Sequence, residues 1–368
     1  MSSENKIWVN SADSHVWEPA DLWESHLPAR MKGRGPRMTR HERVDVYSVD
    51  DKDCMFTPAA MHDAITPPGM LDLNLRLADL DGQGVWAEVV FPSMGLWITV
   101  IDDAELMRAC ATIYNDWAMA EVNRRSPRLI APALLPSVAI EDTVAVAEQA
   151  LKAGFRSLLL PTTVPAHNEY NKREWDRLWA LAEEAKAPVT FHIGTGTAEV
   201  IKTRGMGGGL INYWESSVPA QRAIVHLVSA GVLDRFPGLK VMTAEAGASW
   251  VSALGDRLDE AYRQHGLFAE PKLTRLPSEI IAQQVYTSFQ HDQTAIPTMI
   301  HMGYRNIMWG SDYPHLEGTF PNTQQVLREL LHGVSGDVAD RVTLGCFSEL
   351  FGVGLPGDLR AANAAAAH

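Results

Sequence analysis

The chain has 368 residues, 46% hydrophobic and 21% charged, an ordinary globular composition long enough for one elaborated barrel or two medium domains. A formal net charge of -13, with no Lys/Arg-rich run, argues against a nucleic-acid partner. The three cysteines, Cys54, Cys110 and Cys346, lie far apart without Cys-x-x-Cys spacing, which argues against a disulfide framework and a thiolate zinc site. The first residues, MSSENKIWVN, carry no apolar signal-peptide run, and no apolar stretch is long enough to span a bilayer. A soluble cytoplasmic protein with no membrane partner is expected.

In chain order, the first strand-like run is IWVNSADSH (7–15). A long segment rich in Pro, Gly, Arg and Met follows at 18–70. Short apolar runs then alternate with amphipathic stretches: WAEVVF (86–91), LIAPALL (129–135), RSLLLP (156–161), PVTFHIG (188–194), LKVMTAE (239–245), VYTSF (285–289) and NIMWGSD (306–312). Residues 103–124 and 174–187 read as helices between them. Eight strands with intervening helices predict an α/β fold, a (β/α)8 TIM-type barrel occupying 1–355 as one unit, with a tail at 356–368; strand counting alone leaves an open sheet as the alternative. The segments 18–70 and 196–217 break the rhythm and are expected as lid loops inserted in that barrel.

In such a barrel, catalytic groups sit where the C-terminal ends of the strands converge on one mouth. The first strand ends in Asp13-Ser14-His15, whose alternate side chains point the same way and can share one ion. The fifth ends in His192, the sixth in Glu245 and the eighth in Asp312, while Glu18 and His315 each follow three residues after a candidate ligand. Imidazoles and carboxylates from four strand ends suit a divalent metal. Taken singly, an Asp-x-His is commonly solvated, a strand-end histidine is more often hydrogen-bonded than a ligand, and Asp312 could cap the turn fixed by Pro314. Glu245 is more informative, because a carboxylate in an apolar strand end is costly unless paired or metal-bound.

The pieces SADSHVWEP (11–19), FHIGTG (191–196), AEAGASW (244–250) and MWGSDYPH (308–315), with RLDEAY (257–262), resemble the amidohydrolase-related family in order and spacing over nearly the whole chain. That family includes aminocarboxymuconate-semialdehyde decarboxylase and the resorcylate decarboxylases. The resemblance implies a metal held by Asp13, His15, His192 and Asp312, with Asp312 also able to move protons. Glu245 stands where the decarboxylases place a histidine, and Asp13 stands in the family's first-strand metal pair. These carboxylates make the site harder and more anionic, favouring iron or manganese while leaving zinc possible. Glu18 and His315 either ligate a second ion or orient the ligands by hydrogen bonding, so one or two ions per chain are expected.

Weaker candidates remain. His291 and Asp292, after the seventh strand, either contact a substrate or support the metal-binding residues, and Trp214, Trp97 and Trp250 could line the pocket, although tryptophans are more often core. His226 reads as a satisfied helix residue, and Arg257 and Asp259 read as structural ion partners. GMGGG (205–209) lacks the Lys-Ser/Thr of a phosphate loop, and no Gly-x-Ser-x-Gly elbow occurs.

The expected function is a metal-dependent hydrolase or non-oxidative decarboxylase acting on a small carboxylated or carbonyl-bearing compound, with Asp312 or Glu245 as proton shuttle. The alternatives are a dinuclear iron or manganese–iron oxygenase and a non-catalytic barrel subunit of a heteromeric enzyme. A homo-oligomer is expected, with a hetero-oligomer as the other possibility.

Overall fold

Short apolar runs bounded by turns, buried on both faces, are what a parallel sheet wrapped by helices requires. The computed structural model, which describes residues 6–64, 66–196 and 202–366, places one strand on each of the eight runs. They are β1 (Val9–Ser11), β2 (Val85–Val89), β3 (Leu129–Ile130, resuming at Ala133–Leu134), β4 (Leu158–Pro161), β5 (Val189–His192), β6 (Val241–Ala244), β7 (Val285–Phe289) and β8 (Ile307–Trp309). All pair in parallel with their sequence neighbours. The break in β3 contains Pro132, which has no N–H to give to a ladder; the half before it pairs β2 and the half after it pairs β4. A backbone bond of 3.0 Å from Ala12 N to Trp309 O joins β8 to β1 and closes the ring. The fold is a β/α barrel.

Helices follow the strands and bury their apolar stripes on the sheet. Leu73–Gln83 leads into β2, and Asp72 caps it by accepting from Asn74 N and Leu75 N. The helix expected at 103–124 runs as Ala104–Trp117 and then loosens into a π-helical turn, Ala118–Asn123. The one expected at 174–187 is a 3-10 turn, Arg173–Trp175, leading into Asp176–Ala185. No helix among the described residues is long and apolar enough to cross a membrane.

The segment 18–70 differs from the expected loop. It folds into a short helix, Leu22–His26, and a three-stranded antiparallel sheet, Arg37–Arg40, Val44–Val49 and Lys52–Pro58, followed by the helix Ala59–Ala64. The two-residue turn Asp50-Asp51 supports it, with Asp50 at φ 53, the left-handed geometry that a tight hairpin favours. In the second expected loop, 196–217, residues 197–201 lie outside the described residues, and the helix Gly208–Glu215 begins only after Gly207, at φ 76. The tail carries the helix Gly357–Ala366, whose Asn363 side chain bonds both the N–H and the C=O of Trp8, at 2.7 Å each. His368 and its neighbour at 367 lie outside the described residues.

Candidate metal centre

The ends of β1 and β8 are stitched together by backbone and serine contacts. Asp312 N donates to Asp13 O at 3.0 Å, Ser311 N donates to Ser11 Oγ at 2.8 Å, and the Ser11 hydroxyl donates to Asp13 O at 2.7 Å. A Cβ at Gly310 would lie 2.7 Å from Asp13 Cβ, so only glycine lets the two strands approach this closely. Asp312 and Glu245 leave their strands at φ 49 and φ 60, a left-handed backbone that a non-glycine residue adopts at a cost. That turn redirects each carboxylate over the mouth. Ser288 Oγ receives Glu245 N at 3.1 Å and helps hold it there.

Five of the predicted residues meet in the centre of the ring. His192 Nε2 lies 3.5 Å from Asp13 Oδ1 and 3.5 Å from Glu245 Oε2, and His15 Nε2 lies 3.6 Å from Asp312 Oδ1 and 3.8 Å from Asp13 Oδ1. Two overlapping groups of donors, Asp13-His15-His192 and His15-Glu245-Asp312-His315, each have ligand atoms within 4.8 Å of one another. The histidine rings are aimed from behind: His15 Nδ1 is 3.2 Å from Pro92 O and His192 Nδ1 is 2.8 Å from Ile193 O, leaving both Nε2 atoms facing the centre.

Six atoms there are buried with no hydrogen-bond partner: both carboxylate oxygens of Asp13, both of Asp312, and Nε2 of His15 and of His192. Buried polar atoms are nearly always satisfied, so such a set pointing at one place is the signature of an ion-binding cradle. The electrostatics of the cluster without an ion show how strongly its groups act on one another. Burial, with the charges of His315 and His192, holds His15 well below its ordinary range, in the neutral form that ligates metals. Burial alone would also lower His192, but contact with Asp13 and the charges of Asp13 and Glu245 raise it. Glu245 is pushed well above the carboxylate range by burial and by Asp312, and Asp312 by burial and by Asp13. Three carboxylates sharing a dry site repel one another, and a divalent cation relieves that repulsion. The donor set of imidazole and carboxylate suits manganese, iron or zinc.

The remaining predicted residues land elsewhere or at the margin. His315 stacks on His15 with ring centroids 4.1 Å apart, and its Nδ1 is 3.0 Å from Asp312 Oδ1, outside hydrogen-bonding geometry. Glu18 belongs to neither donor group; its oxygens accept the N–H groups of Ser93, Met94 and Gly95 at 3.3, 3.0 and 2.8 Å. Asp292 accepts from Ala248 N and Ser249 N, both at 3.0 Å, and so holds the loop that follows Glu245. His291 is exposed beside Gly318 O, and Trp214 is 72% exposed on its helix. Trp97 and Trp250 pack against the core. His226 is 3.3 Å from Glu169, Arg257 pairs with Glu260 at 2.8 Å, and Asp259 accepts from Ser278, all away from the cluster. Arg76, a buried guanidinium against the first strand end, was not among the residues expected from sequence. The available signal was its place between Leu73 and Leu80 on the apolar stripe of a helix.

Comparison with known proteins gives a consistent picture. A family model described as amidohydrolase matches residues 61–343. The chain is 27% identical over 280 residues to the 2-amino-3-carboxymuconate-6-semialdehyde decarboxylase of Dictyostelium discoideum, covering 72% of this chain and 71% of that protein. The crystal structure of 5-carboxyvanillate decarboxylase from Sphingomonas paucimobilis superposes with a TM-score of 0.71 at 18% identity, covering 94% of this chain and 99% of the other. A dihydroxybenzoic acid decarboxylase from Polaromonas sp. JS666, solved with bound manganese and the inhibitor 2-nitroresorcinol, superposes with a TM-score of 0.65 at 16% identity, covering 94% and 97%. At these identities the structural likeness concerns the fold.

Proposed function

We propose that this chain, which belongs to the amidohydrolase family, is a metal-dependent non-oxidative decarboxylase of a small carboxylated compound. The observation that carries the reading is the set of six unpartnered buried atoms on Asp13, His15, His192 and Asp312. The relatives named above as decarboxylases support loss of CO2 over hydrolysis. A divalent cation, when bound, supplies a Lewis acid that polarises a substrate oxygen.

The chain's own residues do the rest. Asp13, His15 and His192 would hold the ion, with Asp312 drawn from the overlapping donor group, and their strand-end positions would fix where a substrate oxygen can sit. Decarboxylation breaks a carbon–carbon bond and leaves the electron pair on the ring or chain carbon, which then takes a proton. Glu245 would deliver it. Its side chain keeps 11% exposure, whereas those of Asp13 and Asp312 are at 0%, so it is the carboxyl that reaches toward the open mouth. Burial, the first cause of its raised pKa, favours the protonated form that proton delivery needs.

The deciding experiment strips the purified protein with a chelator and reloads it with Mn2+. CO2 release is then followed from a panel of ortho-hydroxybenzoates and unsaturated acyclic carboxylates, beside a panel of esters, amides and lactones. Mn2+-dependent CO2 release is the expected result. Mn2+-dependent hydrolysis with no CO2 release from any acid would replace decarboxylase by hydrolase.

A further inference from the structure

The helix Leu73–Gln83 turns its buried side inward at Leu73, Arg76 and Leu80, so an arginine occupies a position where the spacing calls for an apolar residue. Its side chain has no exposed surface, nor has that of Glu88 on β2, with which it pairs through Nε. Desolvating two charges costs several kcal/mol each, and a well-packed apolar pair of similar volume commonly serves stability as well or better. The pair therefore calls for a purpose other than stability. The other two arms of the guanidinium show it: Nη1 donates to His15 O at 2.6 Å and Nη2 donates to Ser14 Oγ at 2.9 Å. Ser14 in turn donates to Val89 O at 2.6 Å, tying the same segment to β2.

The face of the same guanidinium lies 4.8 Å from the ring of Tyr313, the residue after Asp312. The Tyr313 hydroxyl donates to Asp79 Oδ2 at 2.7 Å, one helical turn beyond Arg76. A Cβ on Gly69 would come within 2.6 Å of that hydroxyl, so the pocket around it is closed to any larger residue. One outer helix thus grips both ligand-bearing segments, Asp13–His15 and Asp312–Tyr313, whose mutual register sets the distance between Asp13, His15 and Asp312.

We propose that Arg76 is a positioning residue for the metal centre, fixing the two ligand-bearing strand ends at the spacing an ion requires. This rests on the reading of the cluster as a divalent-metal site. The test compares wild type, the double variant Arg76→Met/Glu88→Met and the single variant Ser14→Ala. The double variant removes both buried charges together, and Ser14→Ala removes one arm of the grip while leaving Arg76 in place. Mn2+ is titrated into each metal-free protein, with affinity and the line shape of the bound ion read by electron paramagnetic resonance and folding by circular dichroism. Roughly 10- to 100-fold weaker binding in folded variants, with an altered bound-ion spectrum, is the expected result. Wild-type affinity and an unchanged spectrum in the folded variants would overturn the proposal and leave the metal centre standing. If the double variant does not fold, Ser14→Ala alone decides between these two outcomes. Failure of the wild-type protein to bind Mn2+ would remove the metal-centre reading itself, and the role of Arg76 with it.

Discussion

His192 Nε2 stands 3.5 Å from Asp13 Oδ1, although the two residues leave the barrel from β5 and β1, on opposite sides of a ring of eight strands. Neither atom has a hydrogen-bond partner. Without a cation between them, an imidazole and a carboxylate at this spacing leave their desolvation uncompensated.

Binding of a divalent ion should therefore stabilise the folded chain markedly. An ion present at a hundredfold excess over its dissociation constant adds about 2.7 kcal/mol. Differential scanning fluorimetry of chelator-treated protein with and without Mn2+ measures it. A melting temperature that does not respond to Mn2+, and does not respond to Zn2+ or Fe2+ either, would refute an ion cradle here.

Glu245 combines a left-handed backbone at φ 60 with a carboxyl whose burial and neighbours disfavour its charge. Both costs vanish in Glu245→Gly. That variant should melt a few degrees higher in the metal-free state, reflecting roughly 1–2 kcal/mol of relieved strain, while losing activity. Glu245→Gln keeps the shape and should fold normally with activity reduced about 100-fold or more, as for loss of a proton-transfer group. Full activity in a well-folded Glu245→Gln protein would strike Glu245 from the site.

Glu18 gives a prediction on pH. Burial outweighs its three backbone hydrogen bonds and raises its carboxyl from 4.5 to about 7. The folded chain then holds a proton that the unfolded chain releases, so this contribution is complete below about pH 4.5 and is lost as the pH climbs through about 7. Wild-type stability should fall across that window more steeply than that of Glu18→Gln, by at most about 1.4 kcal/mol per pH unit. Thermal melts of both proteins at intervals through the window decide it; parallel slopes would mean that Glu18 does not titrate there.

The eight strands were legible in the sequence because each falls in a short, largely apolar run between helical stretches, and the strand-end residues followed from the architecture. Asp13, His15, His192, Glu245 and Asp312 converge for that reason. The small sheet at Arg37–Pro58 was not legible, since its exposed positions carry Arg, Thr, Lys and Asp that read as loop. Nor was the role of Glu18. Its partners are backbone N–H groups some 75 residues away, at Ser93 to Gly95, and backbone amides leave no trace in the side-chain pattern. Arg76 failed for a different reason: an arginine in a helix is ordinarily solvated, and only its spacing from Leu73 and Leu80 marks it as buried.

The number of ions follows from how the donors are shared. The two groups of possible ligands overlap at His15, whose Nδ1 is directed to Pro92 O and whose Nε2 has a single lone pair to give. An ion bound by Asp13, His15 and His192 therefore takes His15 away from the second group. What remains there is Glu245, His315 and whichever Asp312 oxygen the first ion does not use. Glu18, the further carboxylate that a second ion would want, is committed to three backbone amides. His315 stacks on His15 at 4.1 Å and lies 3.0 Å from Asp312 Oδ1, a placement suited to orienting a ligand and its charge. One ion per chain is the expected stoichiometry, measured by elemental analysis of protein reloaded in excess Mn2+ and by anomalous scattering from crystals. His315→Ala should keep that single ion and bind it more weakly. Two anomalous peaks roughly 3.5–4 Å apart, with His315 coordinated to the second, would overturn the mononuclear site and bring dinuclear oxygen chemistry forward.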